Sequence, residues 1–267
     1  MLIQARAMYY GPGPGFGYVL QEGAIEPESD SIRIPGPLLV LRQGEPVAIT
    51  LVNRLPTHTA VHWHGMELDS YYDGVAGWSG AADHTAPMIA PQDSFIARFT
   101  PPRAGTFIYH AHITDHVQLA RGLYGAMLVM PPNQPYVPES DHVVIVGFGR
   151  PNGKASMLVN GSESPLPLPR IRTGTQRLRL INIAPENNAV ITLSAASEPI
   201  SWRAIAKDGF QFPAARRRVQ PARVHIFPGE TYDFEFESSA DVVVVRLKNP
   251  TAPASVDDLS LQLRVRR

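Results

Sequence analysis

The sequence predicts an all-β chain folded as two Greek-key β-sandwiches of similar size. Runs of strand-forming residues recur along its 267 positions with turn residues between them, the pattern that sandwiches and barrels produce. Charged residues make up 18% of the chain and proline is frequent, at 26, a mix that suits short strands and turns better than exposed helices. No apolar run approaches the ~18–20 residues needed to span a bilayer as a helix, so a soluble chain is expected.

The strand-like runs are, in order, "LLVLRQGEPVAITLVNRL", "SFIARFTPPRAGTFIYHAHI", "GLYGAMLVM", "HVVIVGFG", "QRLRLINIA", "VITLSA", "ARVHIFPGETYDFEF" and "DVVVVRLKN". The single helical pattern is short, around "TDHVQLARG". "GPGPGFG" (11–17) is expected to be a plain turn or edge loop. A phosphate loop needs free backbone N–H groups ahead of a helix, whereas here two prolines remove donors and no helix follows. Near "MPPNQPYVPESD" (130–141) the composition turns to proline, asparagine and acid, which marks a linker and sets expected domains at 1–134 and 135–267. A loose echo joins the halves. "VLRQGEPVAITLVNR" and "PRIRTGTQRLRLINIA" share a basic residue, a glycine, an alternating strand and an asparagine, as duplicated domains would.

Lys+Arg and Asp+Glu balance at 24 each, which gives no electrostatic case for nucleic acid or an anionic membrane surface. The run "ARRRV" (215–219) reads as solvated surface. The absence of cysteine excludes disulfides, thiolate catalysis and zinc ribbons. The start, "MLIQARAMYYGPGPG", has no basic segment followed by an apolar core, so no signal peptide is expected and the chain reads as cytoplasmic or as a mature or excised part of something longer.

The chemistry lies in the histidines. Four of the nine form two H-x-H pairs, His62/His64 in "HWHG" and His110/His112 in "YHAH". In an extended strand alternate side chains share a face, so each pair aims two imidazoles one way while Trp63 and Ala111 point the other. The strands "VAITLVN" and "SFIARFT" that precede the two loops bring both pairs toward one rim of the first sandwich. Four convergent imidazoles suit Cu, Zn, Ni or Fe, and without a thiolate or a facial carboxylate the choice tilts to Cu or Zn.

"HWHGMELDSYYDGVAGWSG" followed by "GTFIYHAHITDHVQLARGLYGAMLVM" resembles the first cupredoxin domain of multicopper oxidases, the laccase and copper-resistance class. "LVNGS", "LRLINI", "WRAIAKDGFQFP" and "VHIFPGETYDFEF" look like the linking second domain of the same enzymes. The resemblance implies that His62 binds a type 2 copper and that His64, His110 and His112 bind a type 3 pair. It implies that Asp73 in "YYDGV" assists proton delivery to reduced oxygen. It further implies O₂ and a small reducing substrate, and a periplasmic or extracellular setting.

The departures from that family are specific. A full trinuclear cluster takes eight histidines, four of them from H-x-x-H-x-H and H-C-H motifs that this chain lacks. Aligned on H-C-H-x-x-x-H, Ala111 stands at the cysteine position, His116 at the type 1 histidine and Arg121 at the axial methionine. The H-x-x-H-x-H pattern would need histidine where Thr59 stands, with His58 one residue off. His116 and His58 are therefore expected to be structural or supporting. The expectation is a two-domain unit of a multicopper oxidase holding half of the oxygen-reducing site, with a partner domain or chain supplying the remaining ligands. A homo-oligomer does not obviously repair this, since the second domain holds just His142 and His225, on separate strands; a twofold contact between first domains would gather eight imidazoles but no type 1 centre. Two other readings compete. A cupin-like mononuclear metal enzyme would use one H-x-H with Glu67, and a non-enzymatic copper-binding protein would keep the four histidines without electron transfer.

Overall fold

The computed structural model describes residues 1–10, 13–28, 31–113, 115–149, 156–163, 168–171, 173–185, 187–238, 241–250 and 258–265. The chain divides into two compact units, the first built on Met1–Gln134 and the second on Pro135–Phe148 and Ser156–Arg267. The first contains β1 (Leu2–Tyr10), β2 (Gly13–Gln21), β3 (Leu39–Arg42), β4 (Val47–Asn53), β5 (Val61–His64), the hairpin β6 (Gly80–Ala81) and β7 (His84–Thr85), β8 (Ser94–Phe99), β9 (Gly105–Ala111), the four-residue helix α1 (Asp115–Gln118) and β10 (Tyr124–Met130). The second contains β11 (Asp141–Gly149), β12 (Ser156–Val159), β13 (Leu168–Ile171), β14 (Gly174–Asn182), β15 (Ala189–Ala195), β16 (Glu198–Pro199), β17 (Ser201–Lys207), β18 (Phe210–Gln211), β19 (Val219–Pro221), β20 (Arg223–Ile226), β21 (Thr231–Ser238), β22 (Val242–Lys248) and β23 (Asp258–Val265).

Each unit is a two-sheet sandwich, and the two share one topology. The sheets of the first run β2-β1-β4-β8 and β3-β10-β9-β5, and those of the second begin β12-β11-β14-β21 and β13-β23-β22-β15. In both, one parallel pair sits inside each sheet: β1 with β4 and β10 with β3, then β11 with β14 and β13 with β23. The alternation predicted for these strands holds where one face is solvated, as in β3, whose residues are buried and exposed in turn. The central strands β9 and β10 are buried at every position, which explains their near-continuous apolar sequence. Between the sheets of the first unit lie Ile49, Trp63, Phe107, Tyr109 and Met127, and between those of the second Leu178, Leu180, Trp202, Phe234 and Val245.

The sequence echo has a structural cause. Asn53 ends β4 and Asn182 ends β14, both fully buried. The Asn53 amide donates to the Thr57 and Ile89 carbonyls while its oxygen accepts Leu55 N–H. Asn182 repeats the arrangement with Asn187, Ile226 and Ala184 N–H. Each asparagine satisfies backbone groups that the departing strand would otherwise leave unpaired in the core.

One expectation needs correction. Within "GPGPGFG" the residues from Gly13 on are not a loop but the start of β2, paired antiparallel with β1 from Gly13–Tyr10 to Gln21–Leu2; Gly11 and Pro12 lie outside the described residues. β2 is the outer strand of its sheet, the position at which proline's missing N–H is tolerated. Gly17 is fixed by space, since a Cβ there would come within 2.5 Å of Ile32.

Candidate metal centre

His62 and His110 face each other across β5 and β9, whose register pairs Val61 with Ala111, His62 with His110, Trp63 with Tyr109 and His64 with Ile108. Strand alternation buries Trp63, Tyr109 and Ala111 completely in the core of the first unit and turns His62, His64 and His110 to the opposite side. His112 joins them one residue past the end of β9. The ring centroids of His62 lie 5.4, 5.4 and 5.3 Å from those of His64, His110 and His112, and His110 is 5.6 Å from His64 and 5.8 Å from His112. One nitrogen from each of His62, His64 and His110 falls within 4.8 Å of the others. All four predicted ligands are thus brought together.

Backbone carbonyls set the tautomers. His62 Nδ1 is 2.9 Å from the Asp73 carbonyl oxygen and His110 Nδ1 is 2.9 Å from the Ala111 carbonyl oxygen. A carbonyl can only accept, so each Nδ1 carries the proton and each Nε2 the lone pair. His110 Nε2 in turn lies 3.4 Å from His64 Nδ1. Burial pushes the His110 imidazolium down to about 3, with the neighbouring His62, His64 and His112 acting in the same sense. The ring is therefore neutral at physiological pH, the state a metal ligand requires.

The loop after His64 holds this arrangement. Asp69 Oδ1 accepts Tyr71 N–H at the start of the 3₁₀ turn Ser70–Tyr72, which delivers the chain to Asp73. The Asp73 carbonyl also takes Trp63 N–H at 3.4 Å, and its carboxylate Oδ1 lies 3.3 Å from His62 Nδ1. The next residue, Gly74, has φ +81°, and a Cβ there would sit 1.8 Å from the Val61 carbonyl oxygen. Glycine is the residue that permits this approach. The "DG" turn is visible in the sequence; the use of Asp73 through its main-chain oxygen is not, because every residue type offers that group.

The remaining expected positions fall elsewhere. Glu67 is engaged by Arg103 Nε at 2.8 Å and is absent from the nitrogen cluster. His58 is exposed, and Thr59 is buried. The His116 side chain lies outside the described residues. Arg121 places its guanidinium 5.8 Å from the Phe16 ring. In the second unit His142 is buried against Gln176, and His225 stacks on Phe227.

Three borderline imidazole nitrogens at this spacing, two of them with lone pairs preset by backbone carbonyls and one neutral and buried, fit copper or zinc. Residues 32–134 match the family model for multicopper oxidase. Over 101 residues the chain is 40% identical to multicopper oxidase MCE of Talaromyces pinophilus, covering 37% of this chain and 15% of that protein. It is 37% identical over 114 residues to a copper resistance protein A homolog of Pseudomonas syringae pv. tomato, covering 42% of this chain and 18% of the relative. The chain thus matches less than a fifth of the length of either. Its fold is that of a multi-copper oxidase from Pseudomonas thermotolerans, with TM-score 0.75 at 22% identity over 100% of this chain and 63% of that one. The blue copper oxidase of Nitrosomonas europaea superposes with TM-score 0.73 at 19% identity over 99% of this chain and 85% of that one.

Proposed function

We propose that the chain is a two-cupredoxin unit of a multicopper oxidase that carries half of the oxygen-reducing copper site. The observation that carries this is the gathering of four imidazole rings from two adjacent strands onto one side of the first unit. In this reading His62 is the type 2 ligand and His64, His110 and His112 are type 3 ligands. Copper, when bound, supplies the one-electron chemistry that couples oxidation of phenols, amines or metal ions to reduction of O₂ to water.

The chain's own residues contribute three things to that reaction. The Asp73 and Ala111 carbonyls orient the His62 and His110 rings and raise their basicity toward a metal. Burial keeps protons from competing at His110. In this reading the Asp73 carboxylate passes protons toward the oxygen side, where each O₂ takes up four protons and four electrons; its closeness to His62, 3.3 Å, supports that role. The chain has no cysteine, hence no thiolate entry route for electrons, so the type 1 centre comes from a partner domain or a different chain, which also brings the remaining histidines. Alone the chain binds copper weakly or partially and turns over little. A periplasmic or extracellular setting belongs to the same proposal.

The test is copper content and Cu(II) EPR on the purified chain, repeated with His64→Ala and His110→Ala. Copper in the wild type and loss of it in both variants is the expected result; wild-type-like loading in both contradicts the assignment. One Fe or Mn per chain instead favours the cupin-like reading, against which the Glu67–Arg103 pair already stands. Copper without oxidase activity, even with a cysteine-bearing partner added, favours a copper store.

A further inference from the structure

Resting on that reading, we infer that Gln118 and Thr59 are a positioning pair for the histidine cluster. Gln118 closes helix α1, just after the strand that bears His110, and is 3% exposed; Thr59 is 1% exposed. The Gln118 carboxamide uses both of its ends. Oε1 accepts the Thr59 hydroxyl at 2.8 Å, and Nε2 donates to the His58 carbonyl at 2.8 Å. Thr59 is held from its other side by two backbone hydrogen bonds with Ile89, at 3.1 and 2.8 Å.

The consequence falls on His62 and His112. The β5–β9 ladder begins at Val61–Ala111, so His112 stands beyond it. Its N–H instead donates to the Ala60 carbonyl at 3.3 Å. Ala60 follows Thr59 directly and precedes the strand that carries His62. Fixing residues 58 and 59 therefore fixes the carbonyl that holds His112 and the entry of His62 together. Among the described residues the Gln118 carboxamide bonds to Thr59 and the His58 carbonyl rather than to an imidazole of the cluster; it acts through the main chain. Thr59 stands where the H-x-x-H-x-H pattern would place a histidine, and its hydroxyl serves this tie.

The test compares Thr59→Val, Gln118→Leu and Thr59→Ser with the wild type in two measurements. One is copper affinity by competition with a chelator, together with the Cu(II) EPR hyperfine pattern. The other is amide hydrogen exchange at His112 in the copper-free chain, referenced to Ile49 in the opposite sheet. Thr59→Val and Gln118→Leu are expected to weaken copper about tenfold, the low end for residues supporting a metal ligand, with an altered hyperfine pattern. They are expected to speed His112 exchange about tenfold while Ile49 stays unchanged, as local opening does. Thr59→Ser keeps the hydroxyl and should match the wild type. Unchanged affinity, hyperfine pattern and exchange in both variants would overturn the proposal, as would equal acceleration at Ile49, loss of folding, or failure of Thr59→Ser. A wild type that binds no copper would defeat the copper reading alone, because the exchange comparison needs no metal.

Discussion

At the scale of single residues the metal rim depends on groups of two kinds, and they were not equally legible. The four imidazoles are chemically distinctive, and a period of two in a strand sends His62 with His64 and His110 with His112. That made the site readable from spacing. The oxygens that orient the rings belong to the main chain of Asp73 and Ala111, and a main-chain oxygen leaves no mark in a sequence. Gly74 lies between the two cases. Its place after Asp73 suggests a turn, but its need to be glycine comes from the Val61 carbonyl behind it. Gly74→Ala should therefore cost more than the ~1–3 kcal/mol of left-handed strain, because Val61 must move as well. Urea unfolding would measure the loss of stability, and copper titration should show loss of affinity beyond it, since His62 follows Val61 directly.

At the scale of elements the two units solve one topological problem with different surfaces. β5 and β9 of the first correspond in sheet position to β15 and β22 of the second. The latter pair through Val190–Lys248, Ile191–Leu247 and Thr192–Arg246, with no histidine among them. Duplication was legible in the shared asparagine; the reason for it, the capping of β4 and β14, required the structure. The strand character of β2 is not legible in "GPGPGFG", because proline spacing alone does not distinguish a turn or edge loop from an outer strand. In the second unit β14 lies between β11 and β21, and Arg179 ties it to both, through Asp141 at 2.6 Å and Asp233 at 2.9 Å. Removal of the arginine leaves two carboxylates with little solvent. Arg179→Met is expected to destabilise by about 3–5 kcal/mol, measured as a lower urea midpoint, with the copper affinity of the first unit unchanged.

At the scale of the whole molecule, both ligand and proton linkage should bear on stability. Copper at 100 times its dissociation constant should stabilise its unit by about 2.7 kcal/mol. Calorimetry with and without Cu(II) should show this in the wild type and not in His110→Ala. Proton linkage reaches both units, through His110 in the first and His142 in the second. Burial lowers the pKa of His142, partly offset by its hydrogen bond to Gln176 and the Asp141 charge. Below the ordinary value of ~6.5 the unfolded chain then binds more protons than the folded one. The His142 contribution is thus in full effect above pH ~6.5 and declines as the pH falls below it. His142→Gln should flatten the slope of urea stability between about pH 6.5 and 5, and a slope equal to that of the wild type would refute this linkage.

Ala111 sits between two ring-bearing neighbours yet faces the other way, sealed at 0% exposure against the apolar interior. A redox-active group installed there would be shielded from solvent and joined to both imidazoles through consecutive peptide units of one ribbon. The one position lying covalently between the two rings therefore opens on a dry, apolar pocket that a methyl group fills.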